Sequence, residues 1–163
     1  MDDRIEFYSN SEEETADVGK KLAHFARIGD GFALHGTLGM GKSVLARGFI
    51  QELTNVKEVP SPTFTLVQLY DADNFSIYHF DLYRLKSPEE IFELGMEEAI
   101  YQGVSLIEWP DKMGGYLPQG IFHVTISPEK DGRKITISTS NDSQRLRLLE
   151  YFKPWWTSIR HVS

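Results

Sequence analysis

The chain has 163 residues, 40% of them hydrophobic and 25% charged, with no cysteine and a formal net charge of −7. That size predicts one globular domain over residues 1–163 with a proper buried core. No run approaches the ~18 apolar residues of a membrane span, no signal-peptide pattern opens the chain, and disulfide or thiol chemistry is excluded, all of which point to a cytoplasmic protein. Basic residues are scattered, without a basic tail or arginine-rich helix, so the electrostatic footprint of independent nucleic-acid binding is missing.

In chain order, Arg4 to Tyr8 alternates as a strand, and Ser11-Glu12-Glu13-Glu14 forms a capping box ahead of a helix that buries Val18, Leu22 and Phe25. Gly31-Phe32-Ala33-Leu34-His35 is a short apolar strand. Directly after it, Gly36-Thr37-Leu38-Gly39-Met40-Gly41-Lys42-Ser43 satisfies G-x-x-x-x-G-K-[ST] in full, and a helix follows with Leu45, Phe49 and Leu53 on one face. Strand, glycine-rich loop and helix form the context that gives this motif its meaning: backbone N–H groups cradle a polyphosphate, Lys42 reaches the β/γ-phosphates, and the Ser43 hydroxyl is placed for Mg²⁺.

Pro60 and Pro62 force an extended passage, after which Phe64–Tyr70 and Phe75–Asp81 read as a hairpin. Ser87-Pro88 caps and opens another helix. Val104 to Ile107 is a continuous apolar run fit for a central strand, and Gly120–Ser127 with Arg133–Ser138 makes a second hairpin. A last helix carries Leu146, Leu149 and Phe152 and halts at Pro154. Strands alternating with helices around a P-loop predict an α/β, P-loop NTPase-like, three-layer fold with a central mixed β-sheet flanked by helices. Ligands of such sheets sit beyond the carboxyl ends of the strands. Two acids stand at such ends, Glu108 after Val104–Ile107 and Asp81 after Ser76–Phe80. Both are candidate Mg²⁺-associated carboxylates, one of them free to orient the attacking water. Thr63 and Thr65, in Ser61-Pro62-Thr63-Phe64-Thr65, occupy the place of a nucleotide-sensing loop. No Asn-Lys-x-Asp element for guanine appears, which favours ATP. Trp109 reads as a core-capping residue or as a cover for the nucleotide or a partner, His79 as structural on its strand, and Trp155-Trp156 as packed on the sheet, with a partner surface as the alternative.

The P-loop, Ser61–Leu66, Tyr78-His79-Phe80-Asp81-Leu82-Tyr83-Arg84-Leu85 and Leu106-Ile107-Glu108-Trp109-Pro110, in this order and spacing, resemble the TsaE (YjeE) family of small bacterial ATPases over nearly the whole chain. The resemblance implies a role in forming N6-threonylcarbamoyladenosine beside the anticodon of tRNAs reading codons that start with adenine. It also implies ATP and Mg²⁺ as cofactors, slow hydrolysis that supports a TsaB–TsaD partner complex, and tRNA contact mainly through those partners. By position it assigns Lys42 and Ser43 to phosphate and metal, Glu108 and Asp81 to the metal-associated acids, Thr63 and Thr65 to the sensing loop, and Ser11–Thr15 to the neighbourhood of adenine. Thr37 and Ser43 depart from the aspartate and threonine usual in the family, at positions where the motif tolerates both. Two rival functions stay open: a small nucleoside or nucleotide kinase, which Asp81-Leu82-Tyr83-Arg84 suggests but which lacks an arginine-rich lid, and a nucleotide-gated binding protein with negligible turnover.

Overall fold

The computed structural model describes residues 3–37 and 39–158; Leu38, one of the P-loop positions, lies outside them. The strands are β1 (Asp3–Ser9), β2 (Gly31–His35), β3 (Val67–Asp71), β4 (Ser76–Asp81), β5 (Gly103–Glu108), β6 (Phe122–Glu129), β7 (Gly132–Ser138) and β8 (Trp156–Ser158), and the α-helices are α1 (Glu12–Phe25), α2 (Lys42–Leu53), α3 (Met96–Gln102) and α4 (Asp142–Tyr151). Among the described residues they build one eight-stranded sheet in the order β3-β4-β5-β2-β6-β7-β1-β8. The centre is parallel, β4 to β5 to β2 to β6, and both limbs are antiparallel. The sheet is therefore mixed, as the two hairpins require.

Alternation along the strands splits the core between the two faces. Phe32, Leu34, Val104 and Leu106 meet Leu22, Leu45, Phe49 and Leu148 of α1, α2 and α4. On the other face Ala33, Ile107 and Phe80 meet Met96 and Ala99 of α3 with Ile91 and Met113 from short 3₁₀ segments. That is a three-layer α/β fold. The parity matters for chemistry, because His79, Asp81 and Glu108 share phase with Ile77 and Leu106 and so project on the α2 side.

The helix that carries the phosphate loop is pressed onto its neighbour. A Cβ built on Gly19 of α1 would lie 2.1 Å from the Leu45 carbonyl oxygen, and one on Gly48 of α2 would lie 2.2 Å from that of Ala16. Two glycines thus let the α1 and α2 backbones touch. Helix α1 is capped by Ser11 as its sequence predicts, Ser11 Oγ accepting from Glu14 N at 3.1 Å, but the expected capping box does not close, because the Glu14 carboxylate takes the N–H of Asn10 rather than that of Ser11. Helix α4 is fastened by Arg147, which pairs with Asp30 at 2.6 Å, donates to the Phe25 carbonyl and lies 4.1 Å from the Phe25 ring centroid.

Four other sequence expectations need correction. The strand expected from Phe64 begins only at Val67, because Thr63 to Leu66 close a turn in which Leu66 N donates to Pro62 O at 2.6 Å and Leu66 takes a positive φ of 69°. The segment after Ser87 is a 3₁₀ helix over Pro88–Leu94, stopped by left-handed Gly95 before α3 begins. On α4 the inward residues are Leu148 and Phe152, whereas Leu146 is 67% exposed. Of the tryptophan pair, Trp155 packs at a tilt against Phe7 with ring centroids 5.2 Å apart, while Trp156 is half exposed and enters the sheet as β8, a strand that no periodicity announced.

Candidate functional site

Beyond the carboxyl ends of the parallel strands lies a cleft of about 490 Å³. The phosphate loop forms its floor, leaving β2 and entering α2 through Gly39 and Gly41, both at positive φ (85° and 114°). Only glycine adopts such angles without strain, and they turn successive N–H groups to one side. Gly39, Met40, Gly41, Lys42 and Ser43 line the cleft. Gly36 and Thr37, expected to bind phosphate, do not line it; Thr37 O accepts from Met40 N at 3.1 Å and so braces the loop from behind the lining residues.

One wall carries the acids. In the β4–β5 register Asp81 is the direct partner of Glu108, so two carboxylates emerge side by side at the strand ends. Both are buried, 5% and 3% exposed. Glu108 Oε1 accepts from Ser43 Oγ at 3.3 Å, and Oε2 accepts from His79 Nε2 at 2.7 Å. Asp81 is tied differently: Oδ2 accepts from Thr63 Oγ1 at 2.9 Å and Oδ1 from Tyr83 N at 3.1 Å. Glu108 is therefore joined to the phosphate loop and Asp81 to the Ser61–Leu66 turn. Thr65 is exposed and outside the cleft.

Lys42 sits between these groups, 5% exposed, with Nζ 3.7 Å from the centroid of the Trp109 ring. Burial pushes its ammonium below the usual lysine range, and the carboxylates of Glu108, Asp81 and Asp111 pull it back up. Trp109 adopts a left-handed φ of 60°, which brings its ring over the loop. It is thus a wall of the site while also packing on the core of the α3 face, so both sequence readings of this residue hold in part.

The opposite wall comes from the antiparallel limb. Ser9, Asn10, Ser11, Glu12 and Thr15 face the cleft beside Asp131–Arg133 of the β6–β7 turn. Arg133 Nε donates to the Met40 carbonyl at 3.3 Å, so the last hairpin holds the phosphate loop from outside. Sequence reasoning missed Arg133 and the role of His79. Arg133 had no signal beyond its turn, while His79 shares strand phase with Asp81.

Comparison with known proteins decides what this arrangement belongs to. Residues 9–135 match the family model described as threonylcarbamoyl adenosine biosynthesis protein TsaE. The chain belongs to the TsaE family. A TsaE protein of Rickettsia conorii, named for tRNA threonylcarbamoyladenosine biosynthesis, is 39% identical over 148 residues, covering 88% of this chain and 85% of that one. The Bacillus subtilis TsaE protein is 38% identical over 128 residues, covering 77% and 80%. The crystal structure of YdiB from Bacillus subtilis superposes with a TM-score of 0.78 at 29% identity, over 94% of this chain and 97% of that one. Each of the four family motifs named from sequence sends residues to the cleft: Gly39–Ser43 of the P-loop, Ser61 and Thr63, Asp81, and Glu108 with Trp109. No helix among the described residues is long and apolar enough to cross a membrane.

Proposed function

We propose that this TsaE-family chain binds ATP with Mg²⁺ in the cleft, hydrolyses it slowly, and by doing so gates a cytoplasmic TsaB–TsaD complex that modifies tRNA. The observation that carries the reading is the convergence of Lys42 and Ser43 of the phosphate loop with Glu108 and Asp81, two buried carboxylates held by different elements. The donors fit the cation: a hydroxyl and two carboxylates are hard oxygens, and too few protein ligands are offered to hold a metal without phosphate oxygens and water. What the cation supplies when bound is charge neutralisation on the phosphates.

The chain's own groups divide the remaining work. Loop N–H groups and the start of α2 orient the β- and γ-phosphates. Lys42, in a site where burial already disfavours its charge, gains most from an anionic partner. Ser43 and Glu108 offer oxygens on the α2 side. Asp81, held through Thr63 and the Tyr83 amide, is placed to orient a water, and the Thr63 bond links it to the loop that would sense the γ-phosphate. Ser9–Thr15 with Asp131–Arg133 form the wall left for ribose and base. With a net charge of −7, tRNA contact falls to the partners.

A gate of ten- to a hundredfold in partner affinity needs roughly 1.4–2.8 kcal/mol of coupling between nucleotide and docking. The test is calorimetric titration of this chain against TsaB–TsaD with a non-hydrolysable ATP analogue, with ADP and without nucleotide, beside phosphate-release assays. Tighter docking with the analogue than with ADP is expected. Equal affinity in all three states refutes the gate, and phosphate transfer to a nucleoside would instead establish the kinase reading.

A further inference from the structure

His79 has one oriented polar contact. Its Nε2 meets Glu108 Oε2 at 2.7 Å, with the two side chains only 2% and 4% exposed. Its Nδ1 is buried without a hydrogen-bond partner among the described residues. A carboxylate only accepts, so Nε2 carries the hydrogen in this bond, and Nδ1 is left without a partner. A histidine kept solely for packing is satisfied at both nitrogens or replaced by an apolar ring, since an unpaired buried nitrogen costs free energy and contributes nothing. Here that cost is borne on the strand face that points at the phosphate loop, two residue pairs inside the Asp81–Glu108 pair.

We propose that His79 is a positioning residue. Its Nε2–H fixes the Glu108 carboxylate through Oε2, leaving Oε1 beside the Ser43 hydroxyl as an oxygen donor toward a divalent cation that enters with the nucleotide phosphates. A glutamate side chain has three rotatable bonds, and a single 3.3 Å bond to a serine that is itself free to rotate would not hold it. The rigid imidazole, clamped in the sheet, removes that freedom. Groups that orient a metal-binding side chain typically change metal affinity or activity by ~10–100-fold when lost. The inference rests on the reading of the cleft as a Mg²⁺–nucleotide site.

The experiment uses the full chain with ATP and Mn²⁺ as the metal probe, read by electron paramagnetic resonance, with ATP affinity in EDTA measured in parallel. His79→Leu removes the donor and should weaken Mn²⁺ binding in the nucleotide complex by ~10–100-fold, leaving metal-free ATP affinity unchanged. His79→Gln places an amide N–H where Nε2 stood and should restore Mn²⁺ affinity. Circular dichroism checks folding; should the Leu variant not fold, His79→Asn, whose amide stops short of Glu108, must reproduce the loss. Wild-type metal affinity in a folded Leu or Asn variant overturns the proposal. So does a Gln variant as weak as Leu, or metal-free ATP binding that falls in step with metal binding. A wild-type chain that binds ATP with no metal dependence refutes the parent reading instead.

Discussion

Gly48→Ala should destabilise the protein although alanine is the better helix former. In an exposed helix interior the exchange gains about 1 kcal/mol. Here the new methyl would stand 2.2 Å from the Ala16 carbonyl oxygen and 2.9 Å from its Cα. These are backbone atoms that no rotamer change can move. Reaching an ordinary contact of 3.4 Å requires α1 and α2 to part by about 1.2 Å, which loosens Leu22, Leu45 and Phe49, all fully buried. Overpacking of this kind costs about 1–3 kcal/mol, and an immovable obstacle puts it at the upper end. The net loss is then about 1–2 kcal/mol, a fall in Tm of roughly 2–8 °C for a domain of this size. Lys42 and Ser43 ride on the first turn of α2, and a 1 Å misplacement of a catalytic group can cost ~100-fold in rate, so hydrolysis should fall further than stability alone explains. Urea unfolding with a matched ATPase assay measures both. A Gly48→Ala protein that melts higher than wild type would show that the helices are not in backbone contact and refute the reasoning.

Lys42→Ala should leave the fold intact but reduce hydrolysis by at least ~100-fold, the loss expected when one charge-stabilising group aimed at the reacting phosphate is removed; near-normal phosphate release from the folded variant would count against the site. Arg147→Met should cost about 3–5 kcal/mol by stranding buried Asp30 without its guanidinium, and adding Asp30→Leu should recover most of the loss in chemical denaturation. His35 and His123 meet at 2.9 Å, and burial pushes both below the usual histidine range, helped at His35 by His123 and Lys42 and opposed by Asp111. The unfolded chain therefore binds more protons than the folded one once pH drops through about 6.5. Stability present above that pH should decline through it and be lost below the folded values, and the paired replacement His35→Gln/His123→Gln should flatten the slope of Tm between pH 7.5 and 5.5.

The parts of this protein that could be read from sequence are those whose meaning is local. Glycines at fixed spacing between an apolar strand and an amphipathic helix define the phosphate loop without reference to the rest of the chain, and Glu108 and Asp81 were visible because each ends its own apolar run. What escaped depends on long-range register. Only the parallel pairing of β4 with β5 makes His79 a neighbour of Glu108, and only the return of β7 brings Arg133 under Met40. Thr63-Phe64-Thr65-Leu66 has the β-branched and aromatic content of a strand, so the turn that exposes Phe64 has no propensity signature. Trp156 joins a strand of three residues, too short to show any period.

The placement of β1 sets an order on how the protein matures during synthesis. Its strand neighbours are β7 and β8, drawn from the far end of the chain. At about 5–20 residues per second, on the order of ten seconds separates the emergence of β1 from that of β7 on the ribosome. Through that interval Ile5 and Phe7, apolar and destined for full burial, have no sheet to join. The phosphate loop, β2 and α2 can meet earlier, but Ser9, Asn10 and Ser11 cannot take their places along the cleft until the last hairpin is made. A nascent chain ending at Gly120 would carry the whole phosphate loop and both acids yet lack one wall of the cleft, so the cleft is completed late and all at once.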